Sequence, residues 1–146
     1  MPNGDTPQLK DFSRRLLAYE AAAGKRTGAD GPVAFRVCER LREPLCKLIG
    51  VGGFRTLFSR ALALAGTEVR WLRALHIKSD GSLEGLGELE AKLSEDEIAV
   101  GEVALVGQLL GLLVTFIGPA LALGLVQEAW PKAAFNPLNF GKGEKL

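Results

Sequence analysis

Residues 103–127 read VALVGQLLGLLVTFIGPALALGLVQ, a run of 25 positions without a charged side chain. As a helix this run rises about 38 Å, which is enough to cross the roughly 30 Å hydrocarbon core of a bilayer. A helix that is apolar on every face is also typical of the centre of a soluble bundle. Choosing between these two structures decides the class of protein.

The flanks of the run favour the soluble bundle. Glu102 and Glu128 border it, whereas membrane spans usually carry Lys or Arg anchors and a lopsided basic loop. Pro119 costs about 3 kcal/mol in an unsupported helix interior, and each glycine costs up to about 1 kcal/mol relative to alanine. Packing inside a bundle must offset these costs. We therefore predict a soluble buried helix, with a single-span or membrane-inserting helical protein as the alternative.

One face of the run is lined by small side chains. At 100° per residue, six positions three or four apart fall in a single stripe, namely Ala104, Gly107, Gly111, Thr115, Gly118 and Ala122. Small side chains let a second helix approach closely, so we predict that this stripe is a helix-packing surface.

Composition and cysteine usage indicate one cytoplasmic domain. A chain of 146 residues that is 47% hydrophobic and 24% charged is long enough for one globular core. The first residues, MPNGDTPQLKD, lack the apolar stretch of a signal peptide. Cys38 and Cys46 would lie about 12 Å apart along one helix, too far for a disulfide. We expect free thiols in a reducing cytoplasm.

Start and stop signals along the chain predict five to seven helices. The first helix should begin at Pro7 and end at Gly24. The second should be capped by Asp30 and be kinked or interrupted by Pro44. The glycine-rich residues 50–53 should separate it from a third helix.

A short fourth helix is expected over residues 67–75, and Asp80-Gly81 predicts a turn within, at most, one small β-hairpin near 76–84. Residues 86–93 suggest a short acidic helix. Ser94 and Glu97 form a capping-box signature for the apolar helix, which we expect at about 98–129 with a kink at Pro119. The predicted fold is an all-α, single-domain bundle around that helix, with a domain over 1–140 and a frayed tail at 141–146.

Charge is distributed unevenly along the chain. Residues 1–73 hold 13 of the 18 basic residues, whereas the stretch from Asp80 to Glu102 holds eight acids and one base. We expect the two halves to complement each other within the fold or between copies. The arginine-bearing faces of the second and third helices are candidate interaction surfaces, with Arg36, Arg40, Arg55 and Arg60 as the candidate residues.

The segment LIGVGGFRT at residues 48–56 resembles the GhG turn of the helix-hairpin-helix DNA-binding family. In that family the backbone N–H groups of the turn contact a phosphate, so the resemblance implies nucleic-acid contact at Gly50–Gly53, with Arg55 and Arg60 adding charge. Pro44 and Phe54 depart from the family pattern. A simple joint between two helices is the competing interpretation.

No catalytic, cofactor or metal signature is present in the sequence. GxxxxGK[ST], GxGxxG and GxSxG are absent, and His76 is the only histidine. We therefore expect a protein that is not an enzyme and that uses no cofactor or metal. The predicted role is a small interaction or regulatory module whose partner is another protein or a second copy. The alternatives are membrane insertion through residues 103–127 and nucleic-acid binding through Gly50–Gly53.

Overall fold

A computed structural model describes residues 7–27, 33–79, 83–85, 88–89 and 91–130. The elements in chain order are α1 (Pro7–Thr27), α2 (Val33–Glu68), a 3₁₀ helix (Arg70–Ala74), β1 (His76–Ile77), β2 (Leu83–Glu84), α3 (Glu95–Ile117) and α4 (Pro119–Ala129). The structure is mostly helical, and this confirms the all-α prediction.

Four α-helices are present in the described part of the chain, so the expected five to seven helices are not supported. The second and third predicted helices form one element, α2, because Gly50 alone departs from helical dihedral angles (φ 82°, ψ 163°). Pro44 lies inside α2 without the break that we predicted there. Residues 33–49 are hereafter the first arm of α2, and residues 51–68 are its second arm.

Two further boundaries differ from the sequence expectation. α1 continues past Gly24 to Thr27, since a single glycine is tolerated inside a helix. The short helix expected at residues 67–75 is a 3₁₀ helix over Arg70–Ala74.

The predicted hairpin is observed as β1 and β2, which pair antiparallel with His76 opposite Glu84. The Asp80-Gly81 turn, residues 86, 87 and 90 of the expected acidic helix, the N-cap at Asp30 and the tail at 141–146 lie outside the described residues. Within the expected acidic helix, residues 88–89 are helical and residues 91–93 form a turn and a bend.

The central apolar helix is two helices. α3 ends at Ile117, α4 begins at Pro119, and the break falls at Gly118 (φ 87°, ψ 156°), one residue before the proline that we expected to kink it. The N-terminus of α3 has the predicted capping box: the Ser94 hydroxyl accepts from the Glu97 N–H at 3.1 Å, and the Ser94 N–H donates to the Glu97 carboxylate at 2.9 Å.

α3 lies at the centre of the fold, in contact with α1, α2 and α4. Its residues 104–111 are buried without interruption, and Leu113 is buried as well. Near its start, Gly101 faces the ring of Trp71, where an added Cβ would overlap the indole. The Trp71 indole N–H donates to the Glu97 carbonyl at 3.1 Å, so the 3₁₀ helix is held against the first turns of α3.

The two arms of α2 flank α3 in opposite directions. The Ala34 N–H donates to the Glu102 carboxylate at 3.1 Å, which places the start of the first arm near the start of α3. At the end of the second arm, the Glu68 carboxylate accepts from the Gln108 amide at 2.9 Å. The chain then continues to Trp71, nearer the start of α3, so the second arm is antiparallel to α3. The apex of α2, at Gly50, therefore points toward the C-terminal end of α3.

α4 returns along the first arm of α2. The Arg40 guanidinium donates to the Ala129 carbonyl at 3.4 Å, so the end of α4 lies beside the middle of that arm. With 11 residues, α4 spans about 16 Å, which matches the about 15 Å from Arg40 to the apex. Gly118 and Gly50 consequently lie at the same end of the molecule.

α2 and α3 are both long and apolar enough to cross a membrane by length and composition. In α3, 56% of the most apolar window is buried inside the fold, against 28% in α2. A core helix of a soluble protein passes the same test of length and composition, so this result does not separate a span from a core helix.

Gly50 and Gly118 turn the chain with nearly the same dihedral angles, in a region of φ and ψ that is essentially restricted to glycine. At neither position would a Cβ meet a neighbouring atom within 4 Å. The need for glycine is therefore conformational, since the surrounding space is open.

We expect Gly118→Ala to lower the free energy of unfolding by about 1–3 kcal/mol, because alanine is strained at this φ and ψ. Gly124→Ala is the matched control: it is also in open space but lies inside α4, where alanine should stabilise the helix by up to about 1 kcal/mol. Urea denaturation measures both changes. Equal effects of the two substitutions would contradict the assignment of a strained corner at Gly118.

Candidate functional site

A buried carboxylate joins three helices at the side of the bundle. Glu20 of α1 is 3% exposed and accepts from the Nε atoms of Arg40 at 2.8 Å and Arg36 at 3.3 Å. The indole N–H of Trp130 donates to the same carboxylate at 2.9 Å. Trp130 is itself buried and directly follows α4. The cluster therefore ties α1, the first arm of α2 and the end of α4 to one point.

The chemistry of this cluster is structural. A buried carboxylate is tolerated when opposite charges and hydrogen-bond donors satisfy it, and here two guanidinium groups and one indole do so. Each donor is directed at Glu20, which leaves the carboxylate engaged in internal contacts. We assign Glu20, Arg36, Arg40 and Trp130 to the fold and not to a reaction.

Glu102 performs a second structural role. Its carboxylate accepts from the Ala34 N–H, at the positive N-terminal end of α2. It therefore interacts with the start of a neighbouring helix, not with the dipole of α3.

The small-residue stripe is divided by the break at Gly118. Ala104, Gly107 and Gly111 are buried on α3, whereas the side chain of Thr115 is exposed at the surface and its hydroxyl donates to the Gly111 carbonyl at 2.9 Å. Gly118 is the corner between the helices. Ala122 is fully buried on α4. The stripe is therefore not one continuous groove. Its first three residues pack inside the fold on α3, and Gly118 forms the corner between α3 and α4.

The four candidate surface arginines fall into two pairs. Arg36 and Arg40 both pair with Glu20. Arg36 is only 14% exposed, which differs from the water-facing position that we expected, whereas Arg40 is 45% exposed. Arg55 and Arg60 are exposed on the second arm of α2. The Arg55 guanidinium donates to the Lys78 carbonyl at 3.1 Å, beside the β-hairpin. The structure does not bring the four together.

Large apolar side chains are exposed at the two glycine corners. Among the described residues, six such side chains are exposed, and five of them lie within three residues of Gly50 or Gly118. We call these five residues the apolar corners: Leu48, Ile49, Val51, Phe116 and Leu121. The sixth, Val100, lies near the opposite end of α3.

Phe116 is the most exposed of them, at 70%, although it belongs to the most apolar helix of the chain. Helix α3 is therefore covered by the other helices in its middle and partly exposed to solvent at its C-terminal end. Exposed apolar side chains gathered at one end of a fold are typical of a binding surface.

The segment that resembles a helix-hairpin-helix turn is a one-residue corner. Gly52 and Gly53 lie within the second arm of α2, and Gly50 alone leaves the helix. A phosphate-binding turn presents several consecutive N–H groups outside a helix. The geometry at Gly50–Gly53 is therefore that of a joint between two arms.

Among the described residues, the remaining titratable groups show no reactive arrangement. Burial raises the pKa of the Cys38 thiol, and the carboxylates of Glu39 and Glu102 add to the rise, so the thiol stays protonated. Cys38 and Cys46 are both free. Within the described ranges, no group of three or more His, Cys, Asp and Glu is arranged to hold a metal ion. A groove of about 530 Å³ beside Cys46 is lined mainly by charged side chains of the first arm of α2.

Comparison with protein-family models, with curated proteins and with solved structures gives no significant match to this chain.

Sequence reasoning missed both the Glu20 cluster and the apolar corners. Glu20 and Trp130 are 110 residues apart, and no local pattern links them. One available signal was the position of Glu20 one residue after Tyr19, on the inward side of an amphipathic helix. For the apolar corners, the sequence shows glycines between apolar residues. It does not show that those residues are exposed, because their exposure depends on how far the other helices extend.

We expect Glu20→Gln to lower the free energy of unfolding by about 3 kcal/mol, because it removes the buried negative charge that accepts from the guanidinium groups of Arg36 and Arg40. The control is Glu43→Gln on the first arm of α2, whose side chain is 81% exposed, where the change should stay within about 0.5 kcal/mol. Chemical denaturation measures both. A loss at Glu20 no larger than at Glu43 would show that the cluster does not hold the helices together.

Proposed function

We propose that this protein is a non-enzymatic docking module, and that the apolar corners are the surface with which it holds its partner. The observation that carries the proposal is the gathering of exposed apolar side chains at the end where both glycine corners lie. Burying a leucine or phenylalanine side chain contributes about 1.5–3 kcal/mol, so two or three of them suffice for reversible binding.

The rest of the molecule supports this role as a rigid base. The Glu20 cluster fixes α4 against α1 and α2, and the capping contact of Glu102 fixes the start of α2. The corners therefore protrude from helices whose other ends are anchored. A pre-positioned apolar surface binds with little ordering cost, which favours a docking function.

The sequence predicted an interaction module that uses the arginine-bearing faces of its helices. We keep the role of interaction module and assign the contact to a different surface. Arg36 and Arg40 are used internally, so the contact is assigned to the apolar corners instead of the arginine faces. A cytoplasmic location remains part of the proposal, supported by the free thiols of Cys38 and Cys46.

Photocrosslinking in the cells that produce the protein tests this function. A photoreactive phenylalanine analogue at position 116 should give a covalent adduct with a protein or a lipid. The same analogue at position 100, which is also exposed and apolar but lies away from the corners, should give none. Adducts of equal yield at both positions, or no adduct at position 116, would contradict the proposed docking surface.

A further inference from the structure

We propose that the partner of the apolar corners is the surface of an anionic lipid bilayer, into which the corner side chains insert while the bundle stays in water. This inference rests on the proposed docking function and adds the chemistry of the partner. The apolar side chains and the charges around them both support it.

The apolar side chains suit a bilayer interface. They come from two segments of the chain that lie toward the same end of the fold, the apex of α2 and the junction of α3 and α4. Apolar side chains of an interfacial segment enter the bilayer to a depth of about 5–10 Å. No charged side chain occurs between residues 103 and 127, so insertion of the α3–α4 corner dehydrates no charge.

Two basic residues, Lys47 and Arg55, flank the Gly50 corner in the sequence. Lys47 precedes Leu48, and Arg55 lies one turn beyond the corner with the Lys78 backbone bound to it. Residues 44–67 contain no acidic residue. Among the described residues, Glu43 lies 3.9 Å from Lys47, and Glu39 and Glu128 line grooves that Lys47 also lines. The side chains of Lys47 and Glu43 are both mostly exposed, so their pairing offers little competition to a lipid phosphate.

Three exposed acidic residues lie at the other end of α3. Glu95, Asp96 and Glu97 are exposed in its first turn, and its 23 residues separate them from Gly118 by about 33 Å. Electrostatic repulsion is screened over about 8 Å at physiological salt, so these acids do not oppose contact at the corners. Lys47 and Arg55 beside the apolar side chains at one end, with the acidic first turn of α3 at the other, favour an end-on orientation on an anionic leaflet.

Flotation of the full chain with lipid vesicles tests the proposal. The protein should bind vesicles of equimolar phosphatidylcholine and phosphatidylglycerol and should bind pure phosphatidylcholine vesicles much more weakly. Phe116→Ser should weaken binding about tenfold or more, because it removes the most exposed inserting side chain. Val100→Ser is its matched control and should leave binding unchanged.

A second pair of variants tests the charge. Arg55→Gln should weaken binding to the anionic vesicles about fivefold, since each basic residue near the surface contributes on that scale. Arg70→Gln removes an exposed arginine at the start of the 3₁₀ helix and should have no effect. Circular dichroism confirms that the variants are folded, and a Phe116→Trp variant reports insertion independently through a blue shift of its emission on vesicle addition.

The outcomes separate this inference from the proposed function. Absence of vesicle binding, equal binding to neutral and anionic vesicles, or equal loss in Phe116→Ser and Val100→Ser overturns the lipid proposal. If vesicle binding is absent while the photoprobe at position 116 gives a protein adduct, the docking function stands and the partner is a protein. If vesicle binding and the adduct are both absent, both proposals fail.

Discussion

The structure depends on covering α3, a helix with almost no polar side chain in its buried stretch. Water cannot be left against residues 104–113 without a large hydrophobic cost, so the amphipathic faces of α1 and both arms of α2 are placed around them. The reversal of α2 at Gly50 follows from this need, because one straight helix of 36 residues would cover only one side of α3. The two glycine corners therefore follow from the need to cover α3 with the other helices.

Specific polar contacts fix the positions of the helices that surround α3. Glu20 gathers donors from α2 and from the residue after α4, while Glu102 and Gln108 bind the two ends of α2. Apolar packing alone tolerates sliding of one helix along another, whereas a buried carboxylate with three donors accepts one arrangement. The contacts lie at the side and at the start of the bundle, so the opposite end, with the corners, is left uncovered.

The sequence predicted what depends on local patterns. The all-α class, the capping box at Ser94 and Glu97, the hairpin near 76–84 and the special role of Gly50 and Pro119 follow from hydrophobic periodicity, side-chain capping and backbone conformational limits. The number of helices was wrong, because a glycine corner of one residue cannot be distinguished from a longer loop by composition. Pro44 was expected to break α2, but its first arm packs well enough to keep the helix continuous.

What depends on distant residues could not be predicted. Arg36 and Arg40 have the spacing of a solvated helix face, and only the approach of α1 shows that Glu20 takes them inward. The exposure of Phe116 was hidden for the same reason, since it lies in the run that gives the core its centre. The apolar corners lie at the ends of helices. There, the hydrophobic periodicity of the sequence does not show whether another helix covers a side chain.

Hydrogen exchange of the α3 backbone in detergent-free buffer tests most directly whether the chain itself covers this helix. If it does, the amides of residues 105–113 exchange only through global unfolding and are among the slowest in the protein. Fast exchange across these residues in the absence of lipid or detergent would contradict the account, because it would show that α3 is not enclosed by the other helices.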